Sequence, residues 1–206
     1  MPVLPHLPPT VAEHAAAAVA CAATPPRALL VADMSEPNRA PRFWAFDLSD
    51  PKHPVLVLQS QVAHGYGSDP NRDGQATQFS DVEGSGMTSL GLYRVAGPYV
   101  GKHGPSYRLQ GLSASNAHAW ERDIMLHPAP YVSPARVSYS AGCAAVAPAT
   151  LSALKVHFGT LTGAALWIDG PGVQAPTCAA LEPWAVAQAS SWSAYVPDTK
   201  ACSARS

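Results

Sequence analysis

Twenty-one prolines spread along 206 residues leave few stretches in which a long helix could run. Each proline fixes φ and lacks the N–H that a helix interior or an inner strand needs. With 15 glycines alongside, the chain is predicted to fold as short strands and ordered loops, with helices only in the few gaps. Two gaps qualify. Thr10-Val-Ala-Glu13 reads as a capping box opening an alanine-rich helix, and a second helix is predicted over 148–157 with proline near its start. Strands are expected over 28–33, 42–48, 54–63, 88–95, 107–112, 124–127 and 164–168, with one or two helical turns over 116–122. Many strands and few helices imply a mostly-β, α+β architecture.

The apolar fraction of 47% is ample for a core, and the length fits one domain. We expect a central body over 28–170, an N-terminal helical segment over 1–27 packing on it, and an irregular extension over 171–206. Thirteen basic and 14 acidic residues give a net charge of −1, and no two basic residues are adjacent. Nucleic acid as a partner is therefore not expected, because no basic stripe exists to displace counterions. No apolar run reaches the ~20 residues that span a bilayer. The stretch ending Ala-Val-Ala-Cys21 resembles a lipoprotein signal only superficially, since no cationic region precedes it. A natural export signal is expected to have been removed ahead of it. Eight histidines raise the question of a metal, but no H-x-x-x-H or H-E-x-x-H spacing occurs and no cofactor is expected.

Of the four cysteines, Cys178 and Cys202 lie in the irregular C-terminal part, and a disulfide between them is the pairing expected in an oxidising compartment. Cys21 reads as a small buried helix residue. Cys143 is different. It follows Gly142 in the small-residue stretch Ser138-Tyr-Ser-Ala-Gly-Cys143-Ala-Ala-Val, where backbone N–H groups can converge as an oxyanion requires. A thiol needs a base or a positive field to act as a nucleophile, and His127, sixteen positions upstream, ends an apolar strand. Spacing alone favours an inert core cysteine and a surface histidine.

A wider pattern surrounds this pair. The stretches VADMSEPNRAPRFWAFDL, SQVAHGYGSD, ATQFSDVEGSGMTSLGLYRVAGPYVGKHGPSYRLQGL, SASNAHAWERDIMLHPAPYVS and SYSAGCAAV, covering roughly two-thirds of the chain, resemble the second, Gram-negative-type branch of the YkuD-like murein L,D-transpeptidase catalytic domains. The resemblance implies a YkuD-like fold, a mixed β-sandwich with a few short helices. It implies a cell-envelope (periplasmic) enzyme that acts on peptidoglycan stem peptides as donor and acceptor, and that carbapenems acylate. It carries the general base onto His127, the acylated nucleophile onto Cys143 and the motif serine onto Ser140. Ser140, or a backbone carbonyl, would orient the imidazole, and N–H groups of Gly142, Cys143 and Ala141 would hold the oxyanion. His64, His103, Arg108 and Tyr139 are the candidate substrate-binding residues. For the two histidines a structural role is an equal alternative, and Arg108 could equally pair a structural acid such as Glu121.

The chain departs from the family's pattern in three places: Pro128 replaces the glycine after the base, Tyr139 replaces the arginine before the motif serine, and Ala144 replaces the proline after the cysteine. These departures suggest altered donor or acceptor preference. The reaction implied is a cysteine thioester followed by aminolysis, giving 3–3 or 1–3 crosslinks. Hydrolysis of the same thioester, as an L,D-carboxypeptidase or endopeptidase, and a non-catalytic envelope-binding module are the alternatives. A papain-like protease is disfavoured because the histidine precedes the cysteine.

Overall fold

A computed structural model describes residues 4–22 and 24–181. The first strand, β1 (Ala28–Asp33), has all six residues buried, as expected of a strand covered on both faces. It pairs antiparallel with β2 (Phe43–Asp47) and parallel with β11 (Ala165–Asp169). The remaining strands of the sheet are β3 (Val55–Ser60), β4 (Val62–Ala63), β5 (Gly91–Gly101), β6 (Gly104–Gly111), β7 (Met125–Pro128) and β10 (Ala144–Val146). Together they make one nine-stranded mixed sheet in the order β3-β2-β1-β11-β5-β6-β7-β10-β4. A separate hairpin joins β8 (Val132–Ser133) to β9 (Arg136–Val137). The mostly-β class is the one the proline-rich sequence implied.

The period-2 alternation of strand side chains sorts the apolar residues into two cores. Leu30, Ala32, Phe43, Ala45, Tyr93, Leu166 and Ile168 face one, which Leu151, Leu154 and Phe158 of α2 (Pro148–Phe158) cover. Leu29, Val31, Trp44, Phe46, Leu92, Ala165 and Trp167 face the other, covered by Val11, Ala15, Ala16 and Ala18 of α1 (Pro9–Ala20). A polar clasp fixes α1 to the sheet: His14 Nδ1 lies 2.9 Å from Asp169 Oδ2, which also accepts the Trp167 indole N–H at 2.7 Å.

The predicted capping box is not formed. The helix starts at Pro9, behind Pro8 as N-cap and without a side-chain cap, so Thr10 falls inside the first turn. Proline's fixed φ and missing donor suit that first turn and start the helix earlier than Thr10 would.

The cysteines also depart from expectation. Cys178 is bonded to Cys21, across 157 residues, and not to Cys202, which lies outside the described residues, as does the 182–206 part of the expected extension. The chain leaving β11 returns past the C-terminal end of α1, so the cysteine expected in the helix core has a partner in space that no local spacing announces.

Two elements position Cys143 and His127. The first is the long β5–β6 hairpin, whose register shifts between Val95 and Pro98 and whose tip is Gly101–Gly104. A bulge of this kind bends the ladder, and Pro98 could not have donated to it. The second is the parallel pair β7–β10, with Ala144 opposite Leu126 and Ala145 opposite His127.

Candidate active site

The turn that carries Cys143 is pinned from below. Ser140 N–H donates to the His64 carbonyl at 2.9 Å, and Tyr66 N–H donates to the Ser140 carbonyl at 2.8 Å. Ser140 Oγ then closes the turn on itself, donating to the Cys143 carbonyl at 2.7 Å and accepting the Gly142 N–H at 3.1 Å. Gly142 has φ +117°, and a Cβ there would stand 2.7 Å from the Met87 carbonyl oxygen. Only glycine fits both the conformation and the space.

Cys143 is fully buried. Its Sγ accepts the Met125 N–H at 3.3 Å and lies 3.8 Å from the Asp123 carbonyl oxygen. The sulfur is held in a disulfide. Continuing the β7–β10 register brings Cys143 level with Met125, one strand over and two residues from His127. Adjacent strands are ~4.8 Å apart and two residues span ~6.6 Å, so both side chains stand on neighbouring positions of one sheet face.

His127 is also fully buried. Its Nδ1 lies 3.1 Å from the Pro128 carbonyl oxygen, which can only accept, so Nδ1 carries the ring proton. Nε2 is then a bare acceptor, and it has no hydrogen-bond partner. Burial above all pushes the imidazole down from 6.5 to about 4, with Lys102 and His103 acting in the same direction and the Pro128 carbonyl against them. The ring is therefore neutral at pH 7.

Of the two orienting groups expected, the contacts fit the backbone carbonyl. Ser140 holds the cysteine turn, and the carbonyl of Pro128 orients the imidazole. Pro128, which stands where the family has glycine, thus contributes through its carbonyl, a group no side-chain motif can advertise. Gly142 N–H, one of the three expected oxyanion donors, is engaged by Ser140 Oγ.

The candidate substrate-binding residues divide. His103, at the β5–β6 tip, stacks on His127 with ring centroids 4.2 Å apart and planes 26° from parallel. His64 is fully buried and lines no groove: its Nδ1 accepts from Arg42 Nη2 at 2.8 Å, and Nε2 faces Asp69 Oδ2 at 3.7 Å. Burial and then the Arg42 charge lower it from 6.5 to about 4. Tyr139 donates to Asp69 Oδ2 at 2.9 Å, joining the same support beneath the turn. Arg108 pairs with Asp123, donates to the Trp120 carbonyl at 2.8 Å and lies over the Trp120 ring. Its acid is Asp123, not Glu121. His64 and Arg108 are buried and bond to protein partners, because a buried charge or ring nitrogen must find partners nearby, while Tyr139 is half-buried.

A cysteine on a glycine turn, one strand over from a neutral histidine whose Nδ1 is tied to a carbonyl, is the arrangement a thiol nucleophile would need. The model of the L,D-transpeptidase catalytic domain family matches residues 5–160, and the chain belongs to that family. The match takes in α1.

Solved structures resemble it more distantly. An L,D-transpeptidase (residues 123–326) from Xylanimonas cellulosilytica shares 13% identity at a TM-score of 0.42, over 68% of this chain and 59% of that one. The helical cell shape determining protein Pgp2 (K307A mutant) from Campylobacter jejuni gives 10% and 0.49, over 74% and 50%. L,D-transpeptidase 1 from Mycobacterium tuberculosis gives 14% and 0.39, over 71% and 63%. The chain thus spans between half and two-thirds of the length of these structures. No curated protein matches it. Among the described residues, no helix is long and apolar enough to cross a membrane.

Proposed function

We propose that this chain is a peptidoglycan L,D-transpeptidase of the cell envelope that works through a thioester on Cys143. The observation that carries the reading is the state of His127: Nδ1–H is committed to the Pro128 carbonyl, and bare Nε2 stands one strand away from the cysteine. Membership of the family supplies the substrate class. The Cys21–Cys178 bond fits an oxidising compartment such as the periplasm.

The acylating form is the reduced one. A dithiol reductant opens the Cys143 disulfide, becomes oxidised itself and leaves a thiol on Cys143. Nε2 of His127 takes that proton as sulfur attacks the carbonyl after the L-centre residue of a donor stem, and the Met125 N–H steadies the thiolate. The oxyanion is held by the Cys143 and Ala141 N–H groups; losing one such donor costs ~2.7–4 kcal/mol of barrier. His127 passes its proton to the leaving D-amino acid. An acceptor-stem amine, whose proton returns to Nε2, then displaces the sulfur and leaves a 3–3 or 1–3 crosslink.

Intact-mass measurement of the reduced protein with a carbapenem tests the nucleophile. One covalent adduct is expected on the wild type and none on Cys143→Ala; an adduct that survives the substitution refutes the assignment. Incubation with purified muropeptides then separates transfer from hydrolysis. New dimers are expected, and shortened stems alone would make the protein a carboxypeptidase.

A further inference from the structure

The base has a second aromatic ring on it, supplied by a distant part of the chain. The β5–β6 hairpin is bent at the shift between Val95 and Pro98, and its tip sets His103 flat against His127. Residues 103 and 127 are on different elements, so the stack is a tertiary contact. His127 has one anchor in its own strand, the Pro128 carbonyl, and a single hydrogen bond leaves a ring free to rock about it. A face-on neighbour removes that freedom.

We propose that His103 is a positioning residue for the acyl-transfer reaction, holding the His127 ring plane so that Nε2 faces the sulfur and coupling its proton affinity to the charge on the hairpin tip. The proposal rests on His127 being the base. Two imidazolium rings at this separation repel strongly, so the pair favours one proton over two. Other polar and charged groups stand near the pair. Lys102 lies beside His103 and acts on His127. Tyr99 of β5 packs on Met125 and Cys143. Arg108 of β6 is paired with Asp123. Asp123 thus has a cation of its own, and His103 and Lys102 both disfavour a proton on His127. The ring keeps His127 in place; its charge keeps His127 unprotonated as the pH falls.

The two roles separate by substitution. His103→Phe preserves a stacking ring and removes the charge, whereas His103→Ala removes both. Carbapenem acylation of the reduced protein is followed by intact mass between pH 4 and 8, with unfolding monitored in parallel. His103→Ala is expected to acylate roughly tenfold more slowly at pH 7, the usual size of a lost alignment, while concentration dependence changes little. His103→Phe is expected to restore the neutral-pH rate and to move the acid limb upward, because His127 then protonates more readily. A folded His103→Ala variant with wild-type rate and acid limb overturns the proposal, and so does a Phe variant as slow as the Ala variant. Cys143→Ala and His127→Ala run beside them: a wild-type adduct yield in either would sink the underlying nucleophile–base reading instead.

Discussion

At Gly142 the backbone and its surroundings agree on one residue. A side chain would need a left-handed conformation with φ +117° and a Cβ 2.7 Å from the Met87 carbonyl. Gly142→Ala is expected to lose about 1–3 kcal/mol of stability and most acylation, read by thermal unfolding and adduct yield. Ser140 is a different case. Its hydroxyl joins the Gly142 N–H to the Cys143 carbonyl, and Ser140→Ala strands both groups, a loss of roughly 1–3 kcal/mol. Acylation should slow while the acid limb of its pH profile stays put, since Ser140 does not touch the imidazole. A displaced limb would return Ser140 to the orienting role that the motif suggested. Arg108→Met should lower stability by about 3–5 kcal/mol, because Asp123 is left buried without its cation. A donor-affinity defect without that loss would make Arg108 a substrate ligand.

At the scale of elements, the disulfide and the His14–Asp169 contact do similar work, fastening α1 over its core. Closing a loop of 157 residues restricts the unfolded chain strongly, on the order of 2–5 kcal/mol. The double variant Cys21→Ser, Cys178→Ser should therefore unfold at a clearly lower Tm, with faster amide exchange in α1 but not in β7 or β10. The strands were legible in the sequence because burial of β1 and alternation elsewhere leave a local pattern; the pairing of Cys21 leaves none. The same holds for the hairpin tip: Gly101-Lys-His-Gly104 announces a turn, and only the bulge near Pro98 decides what that turn touches.

For the whole molecule, acid is the informative variable. His64 and His127 are both held near pKa 4 in the folded state against 6.5 when free. Between those values the unfolded chain binds more protons, so the stability they confer is complete above about pH 6.5 and is lost as pH falls through about 4. Calorimetry from pH 7 to pH 4 should show Tm falling by at least ~5 °C, and His64→Phe should not flatten the curve entirely while His127 remains. A Tm independent of pH across this range would mean that both rings are charged or exposed.

From residues alone come the mostly-β class, the positions of the longer strands but not of β8, β9 or β10, and the candidate pair Cys143 and His127, because alternation, proline placement and a glycine–cysteine turn are local properties of the chain. Which nitrogen of His127 is bare, which carbonyl turns it, which ring lies on it, and that His64 and Arg108 serve the protein's own interior were decided only when distant strands met. Backbone carbonyls carry no sequence signature, and a buried charge takes its partner from whichever segment the fold delivers.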